Sequence, residues 1–419
     1  MREKSKKGLK ITLIVLGAIA LIIGAYFLVR FIMLKSIRDT GLPQINISTG
    51  GASITSNELY VDCLVSLTCE GESFSFSDTE AGIRLRGNDT RLFYPKKPYR
   101  IKFDEKTSLF GHPENKSWVL LALYNDFSLI KDHLAFSLAD RIMGEDFVPA
   151  HHYVDLYIDG KYQGIYLLTD QVNEKEGRLD VEYSFDENDT EVPFFVELDH
   201  RAPEEGIEGV DWFSIGTKYY AIKYPNAEER YTDEQFLYIK GYIETVDALT
   251  KRPDVKISEL EEYIDIDSFI NYYIVQETMA QLEINWKSVY MSKSIDGKLK
   301  MGPVWDFDWS VTGPSIGKNR NVGKDRLEEF RCVDHWFAYL YNNSPEIRVA
   351  FANRWAEVRD DILEVITEVE GQKQDLWRGA KKNHLRWYWY APIGLFSSHF
   401  DEVISWCKER VKWLDTQFC

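Results

Sequence analysis

The chain has 419 residues, 44% of them hydrophobic, with 24 Tyr, 23 Phe and 12 Trp and a formal net charge of −17. So much apolar and aromatic material excludes global disorder, and the acidic balance excludes a general nucleic-acid binder, which would carry a basic footprint. The length allows two or three domains, or one large two-lobed unit. The five cysteines (Cys63, Cys69, Cys332, Cys407, Cys419) have no paired CxxC spacing, so they form neither a disulfide scaffold nor a zinc cluster. Cys63 and Cys69 flank a short turn and either bridge in an oxidising compartment or stay free.

Residues 1–10 carry Arg2, Lys4, Lys6, Lys7 and Lys10 against a single Glu3, and Ile11 to Val29 follows as 19 residues without a charge. That is about enough for a helix to cross a ~30 Å hydrocarbon core. Arg30, Lys35 and Arg38 come next, so the basic excess lies before the span. This predicts a single-pass membrane protein with its N-terminus inside and the remainder outside the cytoplasm. Residues 1–38 are then a cytoplasmic stub and signal anchor, followed by a short tether. The rival, a cleaved signal peptide, would use Ala18-Ile19-Ala20, which lies in the middle of the apolar run.

A β-rich stretch begins near Pro43, with alternation at Ile45, Ile47 and from Ser53 to Val61 around a turn at Gly50-Gly51. Ala81 to Arg86 leads into RGNDT (Arg86 to Thr90), and KKPYRIKF (Lys96 to Phe103) follows. In that strand Arg100 and Lys102 share one face, opposite Tyr99, Ile101 and Phe103. A glycine turn followed by two cations suits phosphate oxygens; a half-exposed strand with solvated charges is the plainer alternative. Trp118 to Leu123 reads as a short apolar strand, and Asp126 to Gly144 as a helix closed by Gly144. His151 to Thr169 alternates down to Asp159-Gly160 and back, which predicts a hairpin. His151 and His152 should point to opposite faces, which argues against a shared metal.

Asp170 to Pro193 is acidic and loop-like, Phe194 to Leu198 is a buried strand, and 199–230 reads as irregular. Thr232 and Gln235 form a capping box opening a helix to about Leu249. A second helix follows Asp265, and its apolar stripe (Ile266, Phe269, Ile270, Tyr273, Ile274) continues at helical spacing into Glu277 and Gln281. Glu283 and Asn285 lie just beyond. Buried polar groups need partners, and GPVWDFDWS (Gly302 to Ser310) lies about twenty residues on. Extended alternation there would set Trp305, Phe307 and Trp309 on one face and Asp306 and Asp308 on the other. Two rigid carboxylates suit a hard cation such as Mg2+; a turn cap is the alternative for Asp306. From about Lys318 the chain is helical, with Trp336, Trp355, Trp377, Trp387, Trp389, Trp406 and Trp413 at core-like intervals.

The ordered set RGNDT, PKKPYRIKF, SLFG (Ser108 to Gly111), WVLLALYNDFSLIKDHLAFSLADRIMG, VDLYIDGKYQGIYLLTDQV, FVELD (Phe195 to Asp199), KYP (Lys223 to Pro225), NWKSVYMSK (Asn285 to Lys293) and GKLKMGPVWDFD resembles the CotH kinase family of spore-coat-protein-H-like atypical kinases. The resemblance covers about residues 43–314; the last hundred residues share with it only their helical, aromatic character. It implies an α+β, two-lobed atypical kinase fold, β-rich then helical, with a kinase-like domain over 39–318 and a helical extension over 319–419. It implies ATP with Mg2+ or Mn2+ as cofactors and transfer to protein Ser/Thr. Asp306 becomes the metal-binding acid, with Asp308 and Gln281 beside it, and Glu283 the catalytic acid. Arg86, Gly87, Arg100 and Lys102 become phosphate contacts, and Asp170-Gln171 the inter-lobe linker near the adenine. Departures stand at Gln281 and Glu283, where the family commonly has Asn and Asp, at His133 in place of a common Asn, and at RGNDT-Arg91. The first puts catalysis itself in question.

Two further functions compete with an extracytoplasmic kinase. One is a catalytically inactive relative acting as a membrane-anchored cell-envelope or spore-coat binding and assembly partner, which the scarcity of ATP outside cells favours. The other is a carbohydrate hydrolase with paired carboxylates. The partners expected are a protein substrate or an envelope or coat component, and the membrane through residues 11–29, but no nucleic acid.

Overall fold

A computed structural model of the chain describes residues 2–71, 74–144, 146–173, 178–179, 181, 185–186, 188–230, 232–317, 321–391 and 394–418. It begins with α1 (Arg2–Ser36), whose segment Ile11–Ser36 is long and apolar enough to cross a membrane and exposes its apolar side chains. There follow β1 (Gln44–Ser48), β2 (Val61–Thr68), β3 (Phe76–Leu85), the short α2 (Asp89–Phe93), β4 (Tyr99–Thr107), β5 (Asn115–Leu121), α3 (Lys131–Ile142), β6 (His152–Ile158) and β7 (Lys161–Asp170).

These seven strands close into a barrel in the order β1-β2-β3-β4-β5-β7-β6, antiparallel except where β1 pairs in parallel with β6. Alternation drives it: Ile45, Ile47, Val65, Leu67, Ile83, Ile101, Trp118, Leu156 and Tyr166 point inward and fill the interior. The predicted hairpin forms with its turn at Asp159-Gly160. Cys63 and Cys69 lie along and just past extended β2, six residues or roughly 20 Å apart, too far to bridge; both are free thiols.

The mixed α+β class holds, although the β-rich part is a closed barrel. After it come β8 (Phe194–Leu198), α4 (Ala202–Glu205), β9 (Trp212–Ile215), β10 (Lys218–Tyr224), α5 (Asp233–Lys251), α6 (Ile257–Leu260), α7 (Ile266–Thr278), β11 (Val289–Lys293) and β12 (Lys300–Met301). The strands form a second antiparallel sheet in the order β12-β11-β8-β10-β9. The stretch read as irregular thus holds two of its strands, which are short and separated by Gly216. Helices α8 (Trp336–Asn343), α9 (Pro345–Gly371), α10 (Lys373–Trp387) and α11 (Leu395–Phe418) complete the fold and share one core with α3, α5, α7 and the second sheet. The boundary expected at 318–319 and part of the acidic loop after Asp170 lie outside the described residues.

Several expectations shift. The helix predicted from Asp126 starts at Lys131, because the Asp126 carboxylate holds a turn by accepting from Ser128 N (2.9 Å) and Lys131 N (3.1 Å). Helix α5 carries its predicted Thr232–Gln235 capping box. Helix α7 ends at Thr278, so Gln281 is off the helix rather than on its stripe. Trp389 is 58% exposed rather than in the core.

Candidate active site

One cleft gathers residues from both sheets. Its lining includes Arg86 to Thr90 after β3, Tyr94, Leu121 to Asn125 from the end of β5, Asp132 of α3, Glu197 of β8 and Asp199 just past it, Lys223 of β10, and Lys287, Ser288, Tyr290, Trp305, Asp306 and Asp308. The segment carrying the acids is not extended as predicted. Asp306 takes a left-handed backbone (φ 67°), and a single 3-10 turn follows over Phe307–Trp309. An aspartate tolerates that conformation better than most residues. Trp305 and Phe307 are buried and both carboxylates reach the cleft, but Trp305 and Trp309 line it too, so the predicted separation of aromatic and acidic faces does not hold.

Asp306 is the hub. Its Oδ2 accepts from the Ser288 hydroxyl (3.3 Å) and lies 3.3 Å from the Lys287 ammonium, which is 2.9 Å from Glu283 Oε2. Burial alone would raise the Asp306 carboxyl, but Lys287, Arg86 and Ser288 outweigh it and hold it below the ordinary value. About 35% of its side chain nevertheless faces the open cleft. Asp308 shows the opposite balance: burial and then the neighbouring Asp306 charge push it up to about 7, against Lys287 and Lys131. Its polar contact with the Asn125 amide is long, 3.5 Å. Glu283 is nearly buried and pushed up to about 8 by desolvation, which the Lys287 charge opposes and Asp306 and Asp308 reinforce.

Gln281 does not point at the carboxylates. Its amide nitrogen donates to the Asp306 carbonyl, and its oxygen accepts from Glu283 N (3.4 Å), so it fixes the two loops together. Arg86 lies over the Trp305 ring (5.6 Å) and is desolvated, which lowers its proton affinity against the opposing charge of Asp306. Gly87 beside it has φ 73°, a turn that a side chain would strain.

Gln281 and Glu283 sit behind Asp306 rather than in the cleft lining, and four other predicted contacts also lie outside it. Arg100 reaches Ser117 Oγ (3.0 Å), and Lys102 is exposed on the outside of the barrel. Asp170 is committed to Arg178 Nε (2.9 Å) and Ala150 N (2.8 Å), while the Gln171 amide bonds the Val172 carbonyl. Glu277 turns away to Arg410, and Asn285 holds the 331–334 loop through Arg331 O, Val333 N and Asp334 N. His152 meets His112 (2.8 Å between ring nitrogens), while His151 turns to Ser137 and Pro149.

Three cleft groups escaped the sequence reading. Asp132 accepts from Phe307 N (2.8 Å), and burial beside Asp308 holds its carboxyl far above the ordinary range. Lys287 bridges Glu283 and Asp306. Glu197 pairs with Lys223 (2.8 Å). All three stood within the quoted motifs, Asp132 as part of a charged Lys-Asp pair inside an otherwise apolar run.

Among the described residues no three His, Cys, Asp or Glu side chains converge as a complete metal ligand set. The protein would contribute Asp306 and Asp308, whose neighbouring charges repel each other and would be relieved by a cation. Two carboxylates in an open cleft suit Mg2+, which keeps waters and takes phosphate oxygens.

A family model described as CotH kinase protein matches residues 83–414, including the C-terminal helices that the motif resemblance did not reach. No curated protein matches the chain.

Proposed function

The chain belongs to the CotH kinase family, and from that premise we propose that it is an atypical protein kinase that transfers the ATP γ-phosphoryl group to protein Ser/Thr. The observation that carries this reading is the meeting of Asp306 and Asp308 with Arg86 and Lys287 in one cleft lined from both sheets. We read the barrel and the helix-covered second sheet as the two lobes of a kinase-like fold. The basic excess before the apolar run of α1 supports a domain outside the cytoplasm.

Phosphoryl transfer asks a protein mainly for positioning and charge neutralisation. Arg86, at the glycine turn, suits phosphate oxygens. Asp306 and Asp308 would hold the divalent metal, which when bound neutralises phosphate charge. Lys287 keeps Glu283 and Asp306 in fixed relation. In its ionised form Glu283 would take the proton of the acceptor hydroxyl as that oxygen bonds to the γ-phosphorus and the bond to the bridging oxygen breaks, releasing ADP.

Two observations favour the inactive, scaffold-type alternative: Gln281 is spent on the backbone, and Glu283 is paired and nearly buried. The two readings separate in one experiment. Wild type and Asp306→Asn are titrated with ATP and Mg2+ or Mn2+, and label transfer to a protein mixture is followed. The kinase reading expects binding and transfer by wild type and loss of both in the variant, with the ligand-free melting point little changed. Binding by wild type without transfer leaves the scaffold reading. Equal Mg2+-ATP affinity in the variant reduces Asp306 to a turn residue.

A further inference from the structure

The last turns of α1 do not stand free of the domain. Arg30, the first charge after the apolar run, is only 6% exposed. Its guanidinium donates to His384 O (3.0 Å) and Leu385 O (3.3 Å) in the closing turn of α10, and to the Tyr26 hydroxyl (3.0 Å). The carbonyls and negative dipole end of a helix C-terminus are a natural seat for a cation. Tyr26 in turn donates to Trp389 O (2.6 Å), and the Phe27 ring lies 6.2 Å from that of Trp389.

The link from α1 to the barrel has no slack. Buried Thr40 donates to Asp155 Oδ2 (2.8 Å), Asp155 N donates to Pro43 O (2.8 Å), and Leu42 packs so tightly on Gly379 that an added Cβ would come within 2.9 Å of it. The short tether expected after the anchor is therefore a packed connection. Because Arg30 ends the uncharged run, Tyr26 and Phe27 occupy its final turn. The residues touching them stand at the same height.

We propose that the domain is docked rigidly on its own membrane helix and lays Trp389 and Tyr390 into the headgroup layer of the bilayer that this helix crosses. The inference rests on reading α1 as a span. Trp389 and Tyr390 are 58% and 52% exposed, and their part-polar rings are the kind that settle at membrane interfaces. Ring contacts continue from them into the protein: Trp389 to Tyr390 (5.8 Å), Tyr390 to Tyr388 (6.4 Å), Tyr388 to Tyr124 (5.0 Å) and Tyr124 to Tyr94 (5.2 Å). Tyr124 and Tyr94 line the cleft. A few aromatic rings thus separate the cleft from the bilayer.

The test uses the full chain in phosphatidylcholine nanodiscs, with and without lipid carrying a nitroxide quencher near its headgroup. Helix α1 contains no tryptophan, so lipid-dependent quenching of tryptophan fluorescence reports on the domain. Trp389→Phe removes the fluorophore at an exposed site and keeps an apolar ring. It is expected to lose most of the lipid-dependent quenching. Arg30→Gln is expected to lose it too, while remaining in the disc. An incorporated wild type that is not quenched, or a Trp389→Phe variant quenched as strongly as wild type, overturns the docking and leaves the span intact. Failure of the wild-type chain to enter nanodiscs refutes the span and the proposal with it.

Discussion

Replacing Glu277 by alanine should destabilise the fold rather than disturb its cleft. The side chain is fully buried and so is its partner Arg410, whose Nη2 lies 3.0 Å from Glu277 Oε2. The same carboxylate accepts from Cys332 N (2.7 Å) and Arg331 N (2.9 Å). Arg410 Nε also donates to the Glu277 carbonyl (2.9 Å), so one acid ties together the end of α7, the 331–332 loop and α11. Breaking a buried ion pair from one side costs about 3–5 kcal/mol, and each buried N–H left without an acceptor costs about 1–3 kcal/mol. These losses share one carboxylate and do not simply add; we expect a total of about 4–6 kcal/mol. Against a native stability of about 5–15 kcal/mol, that leaves a marginal fold, with a melting point lower by on the order of 10 °C. Glu277→Gln keeps an acceptor for the two N–H groups but not the charge, and should fall between. Thermal and urea unfolding of the full chain in detergent measure the loss, and Mg2+-ATP binding well below the transition checks the cleft. An alanine variant that melts within a degree or two of wild type refutes the reasoning. A stable glutamine variant that loses nucleotide binding would return Glu277 to the site.

The remaining predictions concern the cleft. The folded, metal-free Asp308 carboxyl titrates near 7, above its ordinary value of 3.8, so it holds a proton that the unfolded chain has already released. Stability of the metal-free protein should therefore fall as pH rises from about 4 through about 7. Metal binding should strengthen over the same rise and release protons, as Mn2+ titration at pH 6 and pH 8 in two buffers would reveal; pH-independent affinity contradicts the assignment. Arg86→Glu should weaken ATP binding at least tenfold, whereas Lys102→Glu, outside the barrel, should leave it unchanged; equal losses would reduce both to general electrostatics. Glu283→Gln should abolish transfer while preserving Mg2+-ATP binding. Retained turnover there would remove Glu283 from the chemistry.

The sequence alone determined what depends on neighbours along the chain. The hairpin over 152–170 is written in alternation around Asp-Gly, helix α5 in its capping box, and α1 in an uncharged run between basic residues, because each uses contacts a few residues apart. The motif order likewise carried the family without a structure. Of the cleft lining, Arg86, Gly87, Asp306 and Asp308 were legible because they sit in compact, unusual patterns. Arg100 and Lys102 share a strand face, as read, but which side of that strand meets the cleft depends on a barrel closed by β1 pairing with β6 more than a hundred residues on. Strands β9 and β10 were hidden because β10 is held between β8 and β9, and the four-residue β9 pairs with β10, so their stability comes from neighbours rather than from their own residues. Only the tertiary structure brought Asp132 to Phe307, turned Gln281 onto a backbone carbonyl and sent Glu277 to Arg410. Burial decided those outcomes: a charge in a packed interior must find its partner wherever the fold supplies one, and helical spacing cannot say which of several distant segments that will be.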